Sequence, residues 1–255
     1  MPQFVRYIGI DYSGAETPTS SLKGLRVYAA NLDSPPTEVQ PPPSPRKYWT
    51  RRGIAEWLCA ELGNNIPTLV GIDHAFSFPK TYFEKYHLAP DWPAFLDDFQ
   101  YHWSTDKDHT YVDFFRSGNE RNGDETWFRL TDLWTASAKP IFRFGLPGSV
   151  AHSTHAGLPW LRYLRNNCQG RIHFWPFDGW DIPTDRSVIA EVYPSLWMRR
   201  FPAETRDGDQ QAAYAVAAWL QRADMNGSLP RYIDPPLDEG ERKIASIEGW
   251  ILGVV

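Results

Sequence analysis

Ile8-Gly9-Ile10-Asp11-Tyr12-Ser13-Gly14 near the amino terminus and Val70-Gly71-Ile72-Asp73-His74-Ala75 sixty residues later are near copies of one device: an apolar run, a carboxylate, then small or turn-forming residues. Val188-Ile189-Ala190-Glu191 closes a third run in the same way, and Asp209 opens an Ala-rich helical stretch. Short apolar runs of this kind read as buried strands, so the three acids fall at strand carboxyl ends, where open α/β sheets place their ligands. A lone Asp after a strand is often a turn residue or a helix cap. Four acids converging on one sheet edge repel one another unless a cation joins them. A hard ion such as Mg²⁺, or Mn²⁺, prefers such oxygen ligands.

Outward from these runs, residues Val5 to Ile10 and Leu25 to Ala30 read as a hairpin. Pro35, Pro36, Pro41, Pro42, Pro43 and Pro45 then deny a ladder its donors, which predicts a surface loop or an extended edge, with a brief third strand near Lys47 to Trp49. Thr50 is a candidate N-cap for a helix carrying Ile54, Trp57, Leu58 and Leu62 and stopping at Gly63, and Pro67 to Asp73 gives the fourth strand. The last third is also regular. Ser187 to Val192 reads as a strand, Pro194 starts a short helix, Asp209 to Arg222 is a helix with Ala212, Ala213, Val216, Ala217 and Leu220 on its apolar side, and a final helix spans about Leu237 to Ile247.

Between these regular parts the pattern is irregular and aromatic. Seven of the twelve tryptophans (Trp92, Trp103, Trp127, Trp134, Trp160, Trp175 and Trp180) lie there, which predicts a core for an inserted subdomain at about residues 80–180; a stacking platform for bases is the alternative. Asp91 caps a predicted helix running to about Trp103, Leu158 to Arg165 is another helix, and Arg171 to Phe174 a strand.

At 255 residues the chain is long enough for one α/β domain with a sizeable core. Cys59 and Cys168 are far apart and lack metal-ligand spacing, so neither a disulfide framework nor a zinc site is expected, and a reducing, cytoplasmic setting fits. No apolar stretch at the start suits a signal or a membrane span, so a soluble protein is expected. A formal charge of -5 argues against a general nucleic-acid coat. From Asp132 to Asp178, however, no acid intervenes while Lys139, Arg143, Arg162, Arg165, Arg171, His152, His155 and His173 accumulate, a segment suited to facing phosphates.

The chain resembles the RNase H-like fold, and over nearly its whole length it is similar to a family of predicted RNase H-like nucleases. The stretches that carry this are Gly9-Ile10-Asp11-Tyr12-Ser13-Gly14-Ala15, Gly71-Ile72-Asp73, Pro147-Gly148-Ser149-Val150-Ala151, Ser153-Thr154-His155-Ala156-Gly157, Trp175-Pro176-Phe177-Asp178-Gly179-Trp180, Glu191-Val192-Tyr193-Pro194 and Glu248-Gly249-Trp250-Ile251-Leu252-Gly253. The resemblance implies a central mixed sheet of five strands flanked by helices, an aromatic-rich insertion, and Asp11, Asp73 and Glu191 as catalytic carboxylates holding metal; Asp209 is the fourth candidate for both roles, from its own place on the helix. Relatives carry Asp-Gln-His-Asp-Ala-Tyr at the start of the last core helix, where this chain has Asp209-Gln210-Gln211-Ala212-Ala213-Tyr214. Ala212 therefore replaces the inner acid, and Asp209, three residues earlier, is the nearest substitute on that face.

The expected activity is phosphodiester hydrolysis by two Mg²⁺ ions about 4 Å apart, with nucleic acid or a nucleotide as partner. Ser13, Lys139, Arg143 and His152 are the candidate contacts to its phosphates. A regulatory or nucleic-acid-binding module that has lost catalysis is the alternative, with Ala212 as its signature. An ATP-dependent phosphotransferase is the third reading, since Gly-Ile-Asp and then Ser13-Gly14 also suit a phosphate loop; no second such loop follows.

Overall fold

The computed structural model describes residues 2–14, 16–43, 47–135, 137–146, 148–168 and 170–255; Ala15, Pro45 and Pro147, named above, lie outside them. Three runs form the middle of one sheet: β1 (Arg6–Tyr12), β4 (Thr68–Asp73) and β6 (Ser187–Glu191) are almost wholly buried, as strands covered on both faces must be. β2 (Leu25–Asn31) and β3 (Ser34–Glu38) extend the sheet on one side and β5 (Ile172–Trp175) on the other, in the order β3-β2-β1-β4-β6-β5. The pairs β3/β2 and β2/β1 are antiparallel, and β1, β4, β6 and β5 run parallel.

The sheet thus has six strands rather than the expected five, because β5 adds itself to the free edge of β6. The third strand is also displaced from its expected place at Lys47 to Trp49. It contains Pro35 and Pro36, tolerated because β3 pairs on one side only and needs no donors on the other.

One sheet face is covered by α7 (Gly208–Met225), and the glycines of the two repeated motifs explain how closely it lies. A Cβ on Gly9 would stand 2.2 Å from the Ala213 carbonyl oxygen and 2.6 Å from the Ala217 nitrogen; one on Gly71 would stand 2.7 Å from Val216 Cγ1. The obstacle at Gly9 is backbone, which cannot rotate aside, so Gly9→Ala is expected to cost about 1–3 kcal/mol by overpacking, read as a lowered urea midpoint.

The other face carries α1 (Arg51–Leu62), α3 (Trp92–His102) and α6 (Ala151–Asn167). Thr50 caps α1 by accepting from the Gly53 N–H at 2.9 Å, and Asp91 caps α3 by accepting from Ala94 at 2.8 Å. Phe78, Phe95, Phe99, Trp103 and Trp160 pack in the same core cluster as Ile10, Val70 and Ile72, so the aromatic segment is a layer of the sheet's own core. Short helices α2 (Lys80–Lys85), α4 (Val112–Arg116) and α5 (Leu130–Trp134) belong to this segment, and α8 (Leu229–Ile233) and α9 (Glu239–Glu248) follow α7.

Because α1 packs on α6, Cys59 and Cys168 meet and form a disulfide, contrary to the expectation of unpaired thiols. The thiol argument for a reducing compartment therefore falls. Among the described residues no helix is long and apolar enough to cross a membrane.

Candidate active site

Parallel pairing of β1 with β4 sets Asp11 directly beside Asp73 at the carboxyl ends of neighbouring central strands, roughly 4.8 Å apart along the hydrogen-bonding direction. Both lie two residues beyond the glycines that face α7, so strand alternation turns both carboxylates toward that helix. Asp11 is 4% exposed, and its Oδ1 accepts the Ser13 N–H at 2.9 Å. Burial pushes its pKa up to about 7 against that hydrogen bond, with Asp209 and Asp207 adding to the rise. Asp73 is held well above the carboxylate range by burial, then by Asp11 and Glu191. It has no hydrogen bond or ion pair among the described residues.

Glu191 has a different environment. Its strand neighbour on β4 is Ile72, one residue out of step with Asp73, so alternation places it on the opposite face from the aspartate pair. Its oxygens are taken by Arg129, whose Nη2 donates to Oε1 at 2.6 Å and Nη1 to Oε2 at 2.7 Å, while the Phe76 N–H reaches Oε2 at 3.1 Å. The Arg129 Nε and Nη2 also donate to Asp132 at 3.2 and 3.0 Å, and Nη1 to the Glu248 carbonyl at 3.4 Å. Burial pushes the Glu191 carboxyl up against the pull of Arg129; burial lowers Arg129 itself, but Asp132 and Glu191 outweigh it and keep the guanidinium charged.

At the strand ends Asp73, His74, Arg129, Asp132, Lys139, Glu191 and Tyr193 line one pocket of about 30 Å³. That volume suits a water or an ion rather than a nucleotide. His74 is a packing residue: its ring rests against Gly157 of α6, its Nδ1 lies 2.9 Å from the Ala75 carbonyl, and burial lowers its pKa to about 4.

No protein-family model, curated protein or solved structure matches the chain significantly. Among the described residues no three His, Cys, Asp or Glu side chains form a group able to hold a metal ion. Asp11 and Asp73 are neighbours in register, and the expected set of four carboxylates does not form such a group.

Asp209 sits in the first turn of α7, half-buried, its pKa raised by burial and by Asp207. The helix starts one residue earlier than expected, at Gly208, because Asp207 is the N-cap and accepts the Gln210 N–H at 2.9 Å. Ala212 is buried at the next inward position. Ser13 contributes its backbone N–H, and Lys139 lines the pocket. Arg143 is exposed and does not line it, and His152 lies 3.3 Å from Asp113, also outside it.

Two residues of the site were not foreseen: Arg129 and Asp132. Their signal is Arg129-Leu130-Thr131-Asp132, opposite charges one helical turn apart inside an apolar, aromatic segment.

Proposed function

We propose that the chain is a divalent-cation-dependent phosphodiester hydrolase on an RNase H-like sheet, acting on a nucleic acid or nucleotide. One observation carries this reading: Asp11, buried, and Asp73, partly buried, stand side by side on the two central parallel strands, the pKa of each raised by burial and by neighbouring like charge, and among the described residues neither forms an ion pair. The strand order supports it, three antiparallel strands leading into parallel ones with the acids at the carboxyl ends in the middle. Asp11 and Asp73 would hold the ion, and a bound Mg²⁺ or Mn²⁺ supplies a polarised phosphoryl oxygen and a more acidic water. The Ser13 N–H holds the Asp11 Oδ1 in place at 2.9 Å. The amino end of α7, beside Asp11, favours negative charge there. Lys139 lines the same pocket as Asp73.

A second reading has its own support. Ala212 in place of an acid, and Glu191 engaged by Arg129, both suit a module that keeps the scaffold and binds without cleaving. Hydrolysis of bis(p-nitrophenyl) phosphate and of single-stranded RNA and DNA, with Mn²⁺ or Mg²⁺ added, separates the two. The hydrolase reading expects cation-dependent turnover that falls to background in Asp73→Asn; equal turnover by both proteins would remove Asp73 from the mechanism. Tight nucleic-acid binding without turnover would favour the module.

A further inference from the structure

Every N–H of the Arg129 side chain has an acceptor within reach: Nε on Asp132, Nη2 on Asp132 and Glu191, Nη1 on Glu191 and the Glu248 carbonyl. The guanidinium is 1% exposed. It therefore has nothing to offer a ligand, and its effect on the site must pass through the carboxylate it occupies. Glu191 in turn has both oxygens engaged, and Oε2 carries a second donor from Phe76. To reach an ion Glu191 would have to abandon a bidentate, fully desolvated pair, the kind of interaction whose rupture leaves an uncompensated buried charge. Asp11 and Asp73 alternate onto the other side of the sheet, and although Asp73 reaches the same strand-end pocket as Glu191 and Arg129, neither aspartate is paired with an arginine among the described residues.

We infer that Arg129 is a positioning residue that withholds Glu191 from the cation, so that the chain binds one divalent ion, on Asp11 and Asp73, rather than two. This rests on the cation-binding reading above and adds its stoichiometry. With two protein carboxylates, the rest of the shell is water and substrate oxygen, the arrangement in which Mg²⁺ is commonly held.

Titration of the metal-free full chain with Mn²⁺, followed by the electron paramagnetic resonance signal of the free ion, tests it. The expected result is one ion per chain for the unmutated protein and none for Asp11→Asn. Glu191→Gln is expected to keep its ion, with affinity within the ~100-fold that an outer partner is worth. Two ions on the unmutated chain, or loss of binding in a folded Glu191→Gln, overturns the inference while leaving the cation reading standing. No binding to the unmutated chain defeats the cation reading, and this inference with it. Should Glu191→Gln fail to fold, anomalous scattering from Mn²⁺-soaked crystals of the unmutated chain decides: a single peak at Asp11 and Asp73 with Glu191 still on Arg129 upholds it, and Glu191 in the coordination shell overturns it.

Discussion

Asp11→Asn is expected to make the metal-free protein more stable at pH 8, on the order of a few kcal/mol, because burial lifts that carboxyl from its ordinary value toward about 7 and each unit is worth about 1.4 kcal/mol. The sign follows from which state holds the proton. Between pH 4 and 7 the folded chain keeps a proton on Asp11 that the unfolded chain has released, so stability is full below the ordinary aspartate pKa and falls as pH rises through that window. Asn cannot titrate and retains the Oδ1 that accepts the Ser13 N–H. Its neighbour gains as well, because Asp11 is among the charges that raise Asp73. Urea midpoints in EDTA at pH 4.5 and pH 8 check this: the unmutated chain weakens across the interval and Asp11→Asn weakens less, keeping only the part that Asp73 and the other raised carboxyls contribute. Added Mn²⁺ is expected to restore the unmutated chain at pH 8 and leave the variant unchanged. A midpoint independent of pH and metal in the unmutated protein would mean that Asp11 is solvated and shares no field with Asp73.

The motifs that were legible in advance are those whose physics is local. Gly9-Ile10-Asp11 and Gly71-Ile72-Asp73 announce themselves because a buried strand, a glycine under a helix and a terminal acid all lie within a few residues, and the parallel register then brings the two acids together. The caps at Thr50 and Asp91 are local for the same reason. What escaped depends on partners distant in the chain. β3 hides in a Pro-rich stretch, since only its place at the sheet edge makes Pro35 and Pro36 acceptable. The Cys59–Cys168 bridge spans 109 residues and exists because two helices pack. Glu191 reads as a ligand from its own strand, yet its fate is set by Arg129, 62 residues earlier in an irregular segment where no periodicity fixes a position.

Arg129→Met is the substitution expected to harm the fold most. The long apolar side chain preserves much of the packing, so the loss isolates the charge: Glu191 and Asp132, both buried, would face each other with no cation between them. Removing one partner of a buried ion pair costs about 3–5 kcal/mol, a large share of the roughly 5–15 kcal/mol that keeps a domain folded. Glu191→Gln should cost less, about 1–3 kcal/mol, because Arg129 keeps Asp132 as counter-ion and the amide oxygen still accepts from it. The combination Arg129→Met with Glu191→Gln should recover part of the single-variant loss, since one of the two stranded charges is then gone. That non-additivity is the decisive quantity, and urea unfolding of the four proteins in EDTA measures it. The deficit of Arg129→Met should also shrink on acidification, as protonation discharges the stranded carboxylates. A cost below about 1 kcal/mol, the range of solvent-exposed ion pairs, would show that water reaches Glu191 and that its carboxylate is free to turn toward a cation.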